Sequence, residues 1–395
     1  MNQNPHPEAL EAVTRLQSLI LLGAVLSVAG LSGCTRETPL EFASSEQVLA
    51  LADPNDPENA EASKKLQDDL RAALAEYAGT HAEPKLISDS YVTQETLKLG
   101  QKVYDTNCLQ CHGVSGDGNG PAAKYMYPRP RDYRKGLFKF TSTPYGYRPH
   151  RSDLMRTLRK GIQGTSMPSC KLLPEEELEA VVDYVMALGQ RGELEAQLVE
   201  MVEFEEAVDP ELIPEDYLPN VVNKWVDAQG SQVSPLSPQP VFTLEHVKRG
   251  EEAFLSKELG CFKCHGPDGR GQTPDNLAGN LKDNWGNATR AADLTSGILH
   301  GGQEPIDLYR RIYSGINGTP MPGFANALQS EPDKLWDLVA YVMHITNARR
   351  RINQLNEYKT KDEEVIAAPL PGPLKPYIPE VTPESATESE EPDDA

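Results

Sequence analysis

The most informative part of this 395-residue chain is a pair of short stretches, CLQCH at residues 108–112 and CFKCH at residues 261–265. Each places two cysteine thiols three positions apart, with a histidine directly after the second thiol. Thiols at this spacing can both add to the vinyl groups of one porphyrin, and the adjacent histidine then reaches the iron as an axial ligand. A CxxC pair also occurs as a redox dithiol or as half of a zinc site. Because the whole motif occurs twice, each time followed by a glycine, the pattern favours covalent haem.

A second repeat lies downstream of each motif. The segments SDLMRTLRKGIQGTSMP (152–168) and IDLYRRIYSGINGTPMP (306–322) match at nine of 17 positions without a gap. They place Met167 and Met321 at 55 and 56 residues after the histidines of the two motifs. In each copy an amphipathic segment ends at a glycine that can reverse the chain, and a proline follows the methionine. A methionine often fills gaps in a core, but the repeated G-T-x-M-P context favours a thioether ligand on the far side of the iron.

Two further pairs of segments extend the repeat to about 153 residues. Pro121 and Pro274 each lie nine residues after the histidine, inside glycine-rich loops. We expect a carbonyl from such a loop to accept the histidine Nδ1–H, which fixes the ring and strengthens the ligand. The segments at 181–189 and 338–346 share a Y-V-M core and predict final helices that pack on the first helix of each copy. The chain is therefore expected to contain two similar modules and a connector.

Together these features resemble class I cytochrome c domains, over roughly residues 93–190 and 244–348. The resemblance implies a mainly α fold, with two cytochrome c-type helical domains in tandem, low-spin His/Met iron and one-electron transfer. It implies two covalently bound haem c groups, attached through Cys108, Cys111, Cys261 and Cys264. The implied axial ligands are His112, Met167, His265 and Met321. The first module departs from a small cytochrome c by a basic and aromatic insert at 125–151.

The amino-terminal region predicts the compartment. Residues 16–33 form an uncharged apolar run, near the lower limit for a membrane helix and long for the apolar part of a signal. The run ends in Leu-Ser-Gly-Cys34, which resembles a bacterial lipobox. This favours a lipoprotein-type signal peptide at 1–33 and lipidation of Cys34, with an uncleaved helix as the alternative. Both readings predict a protein that is exported, lies on the periplasmic side and is anchored to the membrane.

The remaining segments are predicted to be tethers and linkers. Residues 34–92 are a tether that includes an amphipathic helix from Ala60 to Tyr77, whose leucines at 66, 70 and 74 share one face. We expect that helix to dock on the next domain. Residues 191–243 form a connector that is first acidic and then Pro-rich, and residues 349–395 form an acidic, Pro-rich tail expected to be disordered.

The charge is segregated along the chain. There are 38 Lys plus Arg against 59 Asp plus Glu, a net charge of −21, which argues against a nucleic-acid binder. Residues 171–217 hold 15 acids and two bases, and residues 376–395 hold seven acids and no base. Residues 124–160, in contrast, hold 11 bases and two acids. We expect the acidic segment 171–217 to help recruit a basic partner through salt-sensitive attraction.

Several side chains outside the two motifs have open roles. The basic residues of the insert either pair in part with haem propionates or form a solvated loop; they are Arg129, Arg131, Arg134, Lys135 and Lys139. Trp285 either donates its indole N–H to a propionate or packs in the core. Cys170 is expected to be a buried, inert thiol, with competition against Met167 for iron as the alternative. Histidines at 150, 246, 300 and 344 are expected to be on the surface or hydrogen-bonded elsewhere.

These features predict an electron carrier whose two haems relay single electrons in a respiratory chain. The expected partners are redox proteins: a quinol-oxidising complex, a terminal oxidase or a soluble carrier. One alternative is the haem subunit of a larger oxidoreductase complex. Another is a di-haem peroxidase-like enzyme, which needs one iron with an exchangeable position; the matching Met loops of the two modules argue against it.

Overall fold

The computed structural model describes residues 39–51, 60–88 and 91–346, and within these ranges the chain forms helices and no β-strand. None of the helices in the described ranges is long and apolar enough to cross a membrane. The predicted signal peptide, Cys34 and the tail at 349–395 lie outside these ranges. The α-helices are α1 Glu46–Ala50, α2 Ala60–Tyr77, α3 Gln94–Asn107, α4 Leu109–His112, α5 Arg151–Lys160, α6 Glu175–Glu205, α7 Leu218–Gly230, α8 Leu244–Leu255, α9 Cys261–His265, α10 Pro274–Ala278, α11 Pro305–Ser314 and α12 Pro332–Thr346.

Each module is built on one helix crossing. In the first module α3 packs on α6, and in the second α8 packs on α12. Both crossings need a glycine, because the backbones approach too closely for a side chain: a Cβ on Gly100 would lie 2.1 Å from the Ala180 carbonyl oxygen, and one on Gly250 would lie 2.0 Å from that of Asp337. The prediction that the final helix of each module packs on its first helix is confirmed.

Helix α6 runs for 31 residues and passes through position 190, where the sequence predicted the start of the connector. Its apolar face continues beyond that point through Leu194, Leu198 and Val202, which are all buried. Trp225 of α7 covers this half of the helix and is itself 1% exposed. Because the 3.6-residue apolar periodicity does not stop at 190, neither does the helix.

The predicted tether helix is present as α2, from Ala60 to Tyr77. Leu70 and Leu74 are buried in the core of the first module, and Leu66 packs against that core from its edge. The expectation that this helix docks on the next domain is confirmed.

The acidic and basic segments of the sequence are brought together in the fold. Asp183, Glu193 and Glu195 on α6 are buried, and each forms an ion pair with an arginine: Arg151 at 2.8 Å, Arg148, and Arg191 at 2.9 Å, respectively. The prediction of a partner-facing acidic surface is therefore wrong for these three carboxylates. The exposed acids lie mainly at residues 200–216.

The basic insert 125–151 of the first module forms the seam with the second module. The guanidinium of Arg311 on α11 donates to the carbonyl oxygens of Lys139, at 3.0 Å, and Thr141. Arg156 on α5 pairs across the seam with the buried Asp307 at 2.6 Å. The insert thus has backbone carbonyls that accept hydrogen bonds from the second module, and such contacts take the place of a helix or strand ladder for those groups.

Candidate functional site

The two motif histidines are held by the same backbone contact in both modules. His112 Nδ1 lies 3.1 Å from the carbonyl oxygen of Arg131, and His265 Nδ1 lies 3.1 Å from that of Ala292. With Nδ1–H donating to a carbonyl, the Nε2 lone pair is left free to bind a metal. The prediction that the glycine-proline loop supplies this carbonyl is wrong, because Arg131 and Ala292 lie further along the chain.

The glycine-rich loops have a different role, which is to position the segments that carry those carbonyls. The carbonyl oxygen of Gly116 accepts the N–H of Tyr133 at 2.7 Å, and that of Gly269 accepts the N–H of Leu294 at 2.8 Å. Tyr133 and Leu294 each lie two residues after the carbonyl that the histidine contacts. The acceptor is a backbone atom that any residue type provides, so no side-chain pattern in the sequence identified it.

Burial keeps the imidazoles neutral. Desolvation lowers the pKa of His112 to about 4, and it also lowers the pKa of His265. A neutral imidazole with its Nδ1–H committed is the form that binds iron, so each ring is ready to act as a ligand near neutral pH.

The first thiol of each motif is also in apolar surroundings. Burial raises the pKa of Cys108 to about 12 and that of Cys261 to about 11. A redox dithiol needs the opposite shift, because its nucleophile is the thiolate. The environment therefore argues against the dithiol alternative that the CxxC spacing alone left open.

The two methionine loops have one hydrogen-bond pattern. The carbonyl oxygen of Met167 accepts the N–H of Ile162 at 3.1 Å, and that of Met321 accepts the N–H of Ile316 at 3.1 Å. The loops begin at glycines with φ of +65° (Gly161) and +70° (Gly315). A left-handed φ of this size favours glycine, so the chain reversal predicted for these positions is confirmed.

The threonine of each G-T-x-M-P segment closes its loop. Thr165 Oγ1 donates to the carbonyl of Ile162 at 2.8 Å and accepts the N–H of Met167 at 3.1 Å. Thr319 makes the same two hydrogen bonds in the second module, at 2.8 and 3.3 Å. The repeated sequence thus encodes a rigid loop and not only a side chain.

In the first module the two predicted attachment cysteines and the two predicted axial ligands meet at one cavity. Cys108, Cys111, His112 and Met167 all line it. Its walls are mainly apolar and include Leu154, Leu158, Val181, Val182 and Val185. Two thiols, a neutral imidazole and a thioether around an apolar space form the donor set that haem c requires, so the residues fit the group.

The basic residues of the insert fall into two groups. Arg129 and Arg134 have polar partners, namely Asn119 at 3.0 Å and Asp132 at 2.8 Å. Arg131 and Lys139 line the cavity of the first module, as Arg129 also does, and burial lowers the pKa values of Arg131 and Lys139 to about 10 and about 8.

Trp285 of the second module lies against the insert. The Arg131 guanidinium stacks on its ring at 4.1 Å from the centroid. Its indole Nε1 is buried and has no hydrogen-bond partner among the residues that the structure describes. Lys135, which is exposed, donates to the neighbouring carbonyl of Asn284 at 3.0 Å.

The remaining candidates have structural partners. Cys170 is half-buried at the cavity wall, and its N–H donates to the carbonyl of Leu158. His150 and His246 cap the starts of α5 and α8. His300 reaches the edge of the first module's cavity from the second module and contacts the carbonyl of Gln163 at 2.6 Å.

Comparison with known proteins agrees with this geometry. A family model described as Cytochrome c matches residues 97–189 and 247–346. No sequence among the curated proteins matches the chain. Among solved structures, a chain of the Kuenenia stuttgartiensis reducing HAO-like protein complex is similar, with 30% identity over 63% of this chain and 96% of that chain, and a TM-score of 0.49. Cytochrome c domains carry covalently bound haem c, and the two family matches on this all-helical pair of modules show that the chain contains two cytochrome c-type domains in tandem.

Proposed function

We propose that the chain is a di-haem c-type cytochrome that relays single electrons in an exported, membrane-associated respiratory chain. The observation that carries the proposal is the repetition, in both modules, of the histidine contact and of the methionine loop. When bound, each haem supplies an iron that alternates between Fe(III) and Fe(II).

The residues of the chain set the conditions for that chemistry. Cys108 and Cys111 attach the first haem, and Cys261 and Cys264 attach the second. The carbonyl contact orients each histidine so that Nε2 is the ligand atom. The hydrogen-bonded methionine loops keep the thioether in one place, which limits rearrangement on electron transfer, and a thioether ligand favours Fe(II).

The proposal includes a location and partners. The signal at 1–33 and lipidation of Cys34 would tie the exported protein to a membrane surface on the periplasmic side. Its partners would be redox proteins, namely a quinol-oxidising complex, a terminal oxidase or a soluble carrier. The same ligand set also suits the haem subunit of a larger oxidoreductase complex.

The test is spectroscopy of the purified, haem-loaded protein. We expect two c-type haems per chain, a sulfur-to-iron charge-transfer band in the oxidised protein, two one-electron steps on reductive titration and no binding of carbon monoxide. Rapid carbon monoxide binding, or turnover of peroxide, by the unaltered protein would contradict His/Met ligation in at least one module and would favour a peroxidase-like enzyme.

A further inference from the structure

We propose that Tyr133 is a positioning residue for the first haem, acting through the ring of His112, and that it makes the two haems electronically unequal. The proposal rests on the proposed function, since it assumes that His112 and His265 bind iron. It adds that the aromatic ring on His112 lowers the midpoint potential of the first haem, whereas the second module has Leu294 at the matching position.

Tyr133 lies face to face with the candidate ligand of the first module. The centroid of its ring is 4.7 Å from that of the His112 imidazole, with 20° between the two planes. Phe138 also stacks on Tyr133, at 5.4 Å between centroids and 12° between planes. All three rings line the apolar cavity, and Tyr133 and Phe138 are buried. The stack on His112 is therefore part of the wall of the site and not a surface contact.

The glycine-rich loop of the first module makes room for the Tyr133 ring and holds it there. The backbone N–H of Tyr133 donates to the carbonyl of Gly116 at 2.7 Å. A Cβ on Gly116 would lie 2.9 Å from the ring of Tyr133, which is closer than real Cβ contacts allow. Any side chain at position 116 would therefore displace the ring, so the fold itself defines where the ring lies.

The second module has the same backbone around its proximal histidine but a different side chain. Leu294 follows the carbonyl that contacts His265 by two residues, as Tyr133 does in the first module, and its N–H donates to the carbonyl of Gly269 at 2.8 Å. The ring of His265 contacts Phe254, at 6.4 Å between centroids and 47° between planes, which is a tilted and longer contact. Among the described residues, the stack on a proximal histidine is thus a feature of the first module.

Stacking on an aromatic face favours the more positive form of an imidazole. The face of a phenol ring is negative, and it attracts a positive group that lies within about 6 Å of its centroid. The His112 ring carries more positive charge when it binds Fe(III) than when it binds Fe(II). The stack therefore stabilises the oxidised form and lowers the midpoint potential. A leucine side chain has no π-face and gives no such preference.

The test exchanges the two side chains between the modules of the haem-loaded protein. In spectroelectrochemical titrations we expect Tyr133→Leu to raise one of the two midpoint potentials by about threefold in the reduction equilibrium, which is about 28 mV for one electron. The other step should stay in place. Leu294→Tyr should lower that other step by a similar factor. Unchanged potentials in either variant, or a shift of the opposite sign, would overturn the proposal.

Two further variants separate the stack from the hydroxyl group and from general packing. Tyr133→Phe keeps the ring and removes the hydroxyl, and it should retain both midpoint potentials of the parent. A rise as large as that of Tyr133→Leu would assign the effect to the hydroxyl and overturn the stack. Phe138→Leu removes a ring that contacts Tyr133, and it should shift the same step by less than Tyr133→Leu does. A larger shift would assign the effect to core packing and overturn the proposal.

The methionine ligands identify which haem has shifted. The step raised in Tyr133→Leu should be the one that Met167→Ala displaces, and a match with the step that Met321→Ala displaces would overturn the proposal. Tyr133→Leu should keep the full sulfur-to-iron band, and loss of half of it would also overturn the proposal, because Tyr133 would then be needed for ligation itself. Failure of the proposed function differs from these outcomes, since the parent itself would lack that band or bind carbon monoxide.

Discussion

The two modules hold their candidate ligands with the same backbone contacts and surround them with different side chains. The position whose carbonyl contacts the proximal histidine is Arg131 in the first module and Ala292 in the second. After each methionine, a backbone hydrogen bond joins the loop to the preceding helix. The donor is the N–H of Cys170 in the first module and of Phe324 in the second, and the acceptors are the carbonyls of Leu158 and Ile312 respectively. The difference teaches that backbone hydrogen bonds preserve the site, and that side chains at the same positions are free to take on other roles.

In the first module, side chains and backbone groups of the insert form the seam with the second module. Its insert offers backbone carbonyls to Arg311 of the second module, and Arg131 reaches the second methionine loop. The second module covers the first methionine loop in return, because a Cβ on Gly164 would lie 2.6 Å from Ile298. Both methionine loops therefore lie at the seam.

The largest expected effect comes from removing one methionine at a time. If the modules are equivalent at the iron, Met167→Ala and Met321→Ala should each abolish half of the sulfur-to-iron band and open one haem per chain to carbon monoxide. The double variant should lose the whole band. Optical titration with carbon monoxide measures both effects, and a single variant that keeps the full band would show that its module uses another ligand.

The second largest effect is expected from substitutions at the two helix crossings. Gly100→Ala and Gly250→Ala each force a methyl group into a backbone carbonyl, and overpacking of this kind lowers the free energy of unfolding by about 3 kcal/mol. Gly230→Ala is the matched control, because that helical glycine has nothing within 4 Å of an added Cβ. We expect the control to be neutral or to stabilise the protein by up to about 1 kcal/mol.

Urea unfolding of the haem-loaded protein measures these changes. If the seam makes the modules one cooperative unit, both destabilising variants should shift the same single transition. Two separate transitions, each sensitive to one glycine, would show that the modules unfold independently. A control variant as unstable as Gly100→Ala would remove the steric explanation.

The smallest effect is expected at the exposed acids at the carboxyl end of α6. Glu203→Gln with Glu206→Gln should slow electron transfer to a small basic c-type cytochrome by a few-fold at low ionic strength, because steering weakens as charge is removed. The double variant Glu251→Gln with Glu252→Gln removes two exposed acids from the second module and should change the rate less. Stopped-flow rates that are independent of salt in the parent would contradict the steering.

The sequence predicted the features that recur along the chain, and it missed the contacts between the two modules. The CxxCH motifs, the methionine loops and the Ala60–Tyr77 helix were readable because each has a local spacing or periodicity that recurs. The contact of Arg311 with Thr141 joins residues 170 positions apart and has no such signature. The burial of Glu193 is similar, since a carboxylate shielded by Arg148 and Trp225 reads as a surface charge when only its own helix is considered.

Helix α6 has a practical consequence for dividing the protein into parts. A fragment cut after residue 190 would lose Glu193, which accepts the Trp225 indole N–H at 2.5 Å, and would expose the surface around Gly189 against which the Trp225 ring packs. A stable fragment of the first domain would therefore have to extend beyond Gly230, so that it includes α7. The second depends on the following segment in turn, because the Trp336 indole donates to the carbonyl of Ser237 at 2.9 Å and Leu236 donates to Tyr309. Residues 231–243 serve both halves, so the two copies are no longer interchangeable building blocks.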